Sequence, residues 1–222
     1  MRRPTRFSAA AWRLSAITVA LSAAVACHSR AESKSAERSV AAASDDSATR
    51  IDVMCMADRI NNPPEAFHYA YKYTDAAGTL NEDADITPQA MDITIKDTAG
   101  SHSYHGLRSD EASWNGAVLD LSSLNFTAMS ARLNSLEASA VKQQGAETVN
   151  GYRATRYAID TTQASPSDQQ QFQTLFGKGS FAKGTIWIAA DECAAKLLLD
   201  EGLWQRDGSI KKTHYEISRS RK

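Results

Sequence analysis

The chain has 222 residues, with 25 Lys and Arg against 26 Asp and Glu and a formal net charge of −1. A mildly acidic chain without a basic stripe is a poor nucleic-acid binder, because neutralising phosphates needs clustered Lys and Arg. Once a leader and a polar tether are set aside, about 170 residues remain, enough for one hydrophobic core and too few for two.

The first segment, 1–26, reads as a secretion signal. Arg2, Arg3, Arg6 and Arg13 stand without an acidic residue before the apolar run from Leu14 to Val25, which has the length of a signal h-region and is too short to span a bilayer. The run closes on Ala24-Val25-Ala26-Cys27. Small residues before a cysteine are how a bacterial lipoprotein signal ends, with Cys27 acylated as the new first residue; the same stretch also satisfies the A-x-A rule for plain secretion. In an oxidising compartment, with Cys27 committed to lipid, Cys55 and Cys193 are left either as a disulfide or as two separately buried thiols. Residues 27–48 are Ser, Ala and charge with Val40 as their one large apolar side chain, a composition that cannot order itself and reads as a tether. The domain proper is expected over 49–222.

Within it, Ile51, Met54, Cys55 and Asp58 fall at helical spacing before Pro63-Pro64, predicting a short helix with Cys55 on its buried side. Phe67, Tyr69, Tyr71 and Tyr73 then alternate with His68, Ala70 and Lys72, the period of a half-buried strand with an aromatic face. The acidic residues Glu82, Asp83 and Asp85 read as a solvated turn. Met91, Ile93 and Ile95 mark a second strand whose apolar face could pair with the aromatic row. Tyr104, Leu107, Trp114, Val118 and Leu119 suggest one or two more strands, and 121–137 reads as helical with Met129, Leu133 and Leu136 on one stripe. Asn150-Gly151, set between alternating segments, predicts a type I′ hairpin, since that turn needs two positive φ angles. Ser165-Pro166 opens a capped helix that Gly177 closes. Gly184 to Ala190, Leu197 to Leu199, Leu203-Trp204 and Ser209 to Ile217 are strand again. The sum is an α+β domain of about eight antiparallel strands and about three helices.

Templates for catalysis are absent: no H-E-x-x-H, G-x-S-x-G, dinucleotide fingerprint or phosphate loop occurs. His102 and His105 point to opposite faces if they lie on a strand, so neither they nor the acidic stretch predicts a metal site. No cofactor is expected, and the chain is read as a non-enzyme. What stands out is the apolar set Phe67, Tyr69, Tyr71, Tyr73, Met91, Ile93, Ile95, Trp114, Trp187 and Trp204, which packs a core or lines a cavity whose rim the tyrosine hydroxyls can reach.

The order of elements, with the hairpin Glu147-Thr148-Val149-Asn150-Gly151-Tyr152 followed by Gly184-Thr185-Ile186-Trp187-Ile188-Ala189-Ala190-Asp191 and Lys196, resembles the LolA/LolB-like superfamily of envelope lipoproteins and lipid carriers. The resemblance covers residues 49–218. It implies an antiparallel meandering sheet forming an incomplete β-barrel packed over helices, and an apolar cavity that holds acyl chains. The Cys55 and Cys193 pair and the 165–177 helix depart from the carriers, and no arginine matches their gating position. Acylation at Cys27 makes the chain look like an anchored acceptor; His28, in place of Asp, points to the outer membrane under the enterobacterial sorting rule. The expected role is therefore a lipid-anchored protein on the periplasmic face of a bacterial membrane that binds a lipid or acyl chain. The alternative is an envelope interaction or sensor module with a protein partner and a closed core.

Overall fold

The computed structural model describes Ile51 and residues 53–121 and 123–222. The expected leader, Cys27 and the 27–48 tether lie outside the described residues. Nine antiparallel strands form a single unclosed sheet: β1 (Phe67–Asp75), β2 (Gly78–Ile86), β3 (Ala90–Asp97), β4 (Gly100–Leu107), β5 (Val141–Val149), β6 (Tyr152–Asp160), β7 (Phe181–Ala189), β8 (Ala194–Trp204) and β9 (Ile210–Arg221). Their order is β4-β3-β2-β1-β9-β8-β7-β6-β5, so two meanders meet where β9 pairs with β1. Four α-helices accompany them: α1 (Met54–Asn61), α2 (Glu111–Asp120), α3 (Ser123–Asn134) and α4 (Pro166–Phe176).

Alternation sets which residues face the core. Phe67, Tyr69 and Tyr71 are buried, and the register carries their face across to Ile86, Ala84 and Glu82 on β2 and onward to Met91, Ile93 and Ile95 on β3. On the other side it continues through Arg219, Ile217 and Tyr215 on β9 to Leu197 and Leu199 on β8. Side chains from the helices complete one cluster, with Met56 and Ile60 of α1, Trp114 and Val118 of α2, Phe126, Met129 and Leu133 of α3, and Phe172 of α4. Gly106 lets α2 lie close to the sheet, since a Cβ there would stand 2.8 Å from the Ala117 methyl.

The expected hairpin is present, with Asn150 at φ 53 and Gly151 at φ 80 in the positive region that a type I′ turn requires. The Ser165 side chain accepts from the Asp168 backbone N–H, and Gly177 ends α4 at φ 96. Four expectations are corrected. Glu82, Asp83 and Asp85 are part of β2, with Glu82 only 2% exposed; the period-two pattern Leu80, Glu82, Ala84, Ile86 is a strand whose inward face carries one acid. β2 also separates β3 from the aromatic row that β3 was expected to join. Trp114 and Val118 sit on α2, where their four-residue spacing puts them on one helical face. In α1 the buried positions are Met56, Ala57 and Ile60, while Asp58 is exposed. The strand count rises to nine because β2 was read as a turn, and Leu197 to Trp204 runs as one strand, β8.

Candidate functional site

The ten apolar residues singled out in the sequence divide between the two faces of the sheet. Phe67, Tyr69, Tyr71, Met91, Ile93 and Trp114 are buried in the main cluster, with Tyr73 and Ile95 at its margin. The rings of Tyr69 and Tyr71 meet Phe126 of α3 edge-on, at 6.3 and 6.4 Å between centroids. Trp187 and Trp204 are not among them. Trp187 pairs with Lys196 across the strand and lies opposite in sense to Ile186; its indole N–H donates to Glu147 at 2.7 Å, and Arg156 and Lys196 flank its ring. Trp204 is 42% exposed.

Among the polar side-chain atoms buried without a hydrogen-bond partner in the described residues, the Tyr69 hydroxyl and the Trp114 indole N–H belong to residues of the main apolar cluster, while Thr213 Oγ1 and Arg219 Nε lie on the inward row of β9. Burial pushes the Tyr69 hydroxyl well above its ordinary pKa, and the charges of Glu82 and Tyr71 push it further. A buried polar group left unpaired costs about 1–3 kcal/mol, a cost a ligand atom able to bond it can remove.

Three connections pin the helices to the sheet. The Cys55–Cys193 disulfide, with Cα atoms 5.6 Å apart, joins α1 to the turn between β7 and β8. Beside it Asp191 accepts two hydrogen bonds from Arg219, at 2.8 and 2.9 Å, and lies 3.3 Å from Arg59 of α1. Arg219 is 2% exposed and also covers the Tyr152 ring at 4.3 Å. On α3, Arg132 donates to both oxygens of Glu201 on β8, at 2.8 and 3.0 Å, where Glu201 is 1% exposed. The sequence reading missed Glu82, Arg219 and Glu201. The strand period signals all three, because each continues an inward row: Leu197, Leu199, Glu201 on β8 and Tyr215, Ile217, Arg219 on β9.

Burial acts to raise the Asp191 pKa, but the hydrogen bonds and charge of Arg219 outweigh it and hold the carboxyl below the usual range. Hydrogen bonds from Tyr73 and Lys211 lower Asp75 to about 2. Both groups therefore bind a proton less tightly when folded than when unfolded. Their contribution is complete above about pH 4 and is lost as pH falls through the folded values. The urea midpoint is expected to decline from about pH 4 downward, and Asp191→Asn should give a shallower decline from a lower plateau. A midpoint flat down to about pH 2 would contradict this.

The His and carboxylate groups weighed in the sequence do not gather into a metal site among the described residues. Groups of three or more His, Cys, Asp or Glu able to hold an ion do not occur there. Three histidines pair with carboxylates: His68 with Asp85 at 3.0 Å, His105 with Asp92 at 2.6 Å and His214 with Asp200 at 2.7 Å. His102 and His105, opposite Ile95 and Asp92 of β3, point to opposite faces of the sheet, as odd spacing on β4 dictates. Two open clefts run along the side of the sheet opposite the helices. One, of about 750 Å³, is bordered by Ala70, Lys72, Asn81, Lys196 and Leu198; the other, of about 1000 Å³, by Ala76, Ala77, Phe181, Ile210 and Lys212.

The class these elements define is α+β, an unclosed antiparallel meander with helices on one face. Among solved structures the chain is similar to MucB (11% identity, TM-score 0.30, 76% of this chain and 56% of MucB) and to LprF from Mycobacterium bovis (10%, 0.32, 75% and 90%). It is also similar to a DUF1329 family protein from Desulfovibrio piger (9%, 0.23, 76% and 88%). MucB has also been solved in complex with MucA(peri). The chain spans little more than half the length of MucB, and no role is carried over from any of these proteins. No protein-family model and no curated protein matches the chain.

Proposed function

We propose that this chain is an envelope lipoprotein, acylated at Cys27, that accepts a lipid or the acyl part of another lipoprotein between the sheet and its helices, without catalysing a reaction. The observation that carries the reading is the pair of unpartnered polar atoms, the Tyr69 hydroxyl and the Trp114 N–H, set in the main apolar cluster between sheet and helices, beside the inward-facing Glu82 and Arg219. An acyl chain entering there displaces Phe126 from the tyrosine rings and gains about 0.8 kcal/mol for each methylene buried. The polar atoms then meet the ester or headgroup end.

The edge-on packing of Phe126 favours a second reading, in which the core stays closed and the same scaffold acts through its surface on a protein partner. Purification without detergent, followed by native mass spectrometry and lipid extraction, separates the two. Co-purifying lipid that falls in yield in Tyr69→Phe supports the carrier. Lipid-free protein that crosslinks to a protein partner in membranes supports the closed scaffold and removes the carrier.

A further inference from the structure

The end of the sheet farthest from the disulfide carries a surface that neither the core nor the tether accounts for. It is built from two segments, 175–183 from the end of α4 to the start of β7 and 204–212 from the end of β8 to the start of β9. The Trp204 backbone N–H donates to Ser180 Oγ at 2.9 Å, and that hydroxyl donates to the Phe176 carbonyl at 2.7 Å. Ser180 is 3% exposed, so this cross-link is itself shielded. Three glycines shape the apolar part. A Cβ on Gly177 would stand 2.5 Å from the Trp204 Cβ, and one on Gly202 would stand 2.2 Å from the Phe181 ring and 2.9 Å from Ile210. A Cβ on Gly179 would touch Ile210 at 3.5 Å. Trp204, Phe181 and Ile210 are thereby laid flat against bare backbone. Trp204 remains 42% exposed, and Leu175, two residues before Gly177, is 57% exposed. Trp204 and Leu175 are two of the large apolar side chains that the fold leaves exposed.

Charge identifies the contact. Segments 175–183 and 204–212 contain Lys178, Lys183, Arg206, Lys211 and Lys212 against Asp207, in a chain whose total is −1, and Asp75 and Asp200 border the same cleft as Ile210 and Lys212. Asp207 is occupied in its own turn, accepting from the Ser209 backbone and hydroxyl. Lys183 pairs with Asp160 and Lys211 with Asp75. Lys178, Arg206 and Lys212 have no acidic partner among the described residues and lie on the same two segments as the exposed indole. An indole beside unpaired cations suits the headgroup region of a bilayer, where the ring sits at the interface and each cation meets an anionic lipid.

We propose that this tip, centred on Trp204, is a membrane-contact surface that seats on anionic phospholipid, a second attachment independent of Cys27. It goes beyond the carrier reading and does not require it. The test uses the full chain carrying Cys27→Ser, so that no acyl anchor is present, and compares it with the same chain bearing Lys178→Ser, Arg206→Ser and Lys212→Ser. The leader is common to both. Affinity for vesicles of phosphatidylglycerol and phosphatidylcholine is expected to fall by about a hundredfold in the triple variant, and the difference should disappear on pure phosphatidylcholine. Equal affinity of the two chains for the anionic vesicles would overturn the proposal. As a check that leaves the charges alone, brominated phosphatidylglycerol should quench the parent's emission by a component missing from Trp204→Phe. Quenching unchanged by that substitution would overturn the proposal too. A chain that holds no acyl chain yet binds vesicles through the tip retains this inference and loses the carrier; the converse result does the opposite.

Discussion

Replacing Cys55 and Cys193 together by Ser is expected to cost about 3–5 kcal/mol in equilibrium unfolding. The size follows from the separation of the two positions, 138 residues, because a cross-link over so long a loop removes a large share of the unfolded chain's freedom. Replacing both leaves neither partner of the bond as an odd thiol to confuse the result. The bond also holds α1, whose eight residues are too few to persist as a helix unaided. Hydrogen exchange in 54–61 should therefore quicken more than in the central strands. A loss under about 1 kcal/mol would mean that Arg59, Asp191 and the apolar contacts of Met56 and Ile60 hold α1 by themselves.

Arg132→Leu is expected to destabilise the fold by a similar amount, about 3–5 kcal/mol, because it leaves the Glu201 carboxylate buried and unpaired. The pair itself need not be a net gain. Arg132 is also drawn to the Tyr215 hydroxyl and has its charge stabilised by Glu201 against the cost of burial. If desolvation and attraction nearly cancel, the double variant Arg132→Leu with Glu201→Leu should recover most of what the single one loses. Urea unfolding of the two single variants and the double one measures the coupling directly. Additive losses would show that the two side chains act separately, contrary to their contact at 2.8 Å.

The same residues show how far a sequence of this kind can be read. Elements governed by local rules were legible: the Asn150-Gly151 hairpin through its φ requirement, the α4 boundaries through Ser165 and Gly177, and the aromatic row through strict alternation. Elements governed by tertiary context were not. Glu82 looks like a loop residue because isolated carboxylates avoid interiors, and only the neighbouring strands reveal that its segment is the second of a meander. Trp114 was assigned to a strand because aromatic and β-branched residues favour strands on average, whereas the Asp110 side chain caps a helix here by accepting from the Ser113 N–H. As for the site, alternation placed the tyrosines together correctly. It could not tell that Trp187 and Trp204 belong to the opposite surface, since a bare alternating run does not say which of its two faces is inside.

One feature of the topology constrains how the molecule is made. β1 finds one of its two partners only in β9, the strand farthest along the chain. Until residues 210–221 are available, the meander begun at Phe67 and the one begun at Val141 are two fragments with bare edges. A nascent polypeptide of this design keeps its two meanders unjoined for almost its whole synthesis. A product stopped short of Ile210 lacks the strand that joins them.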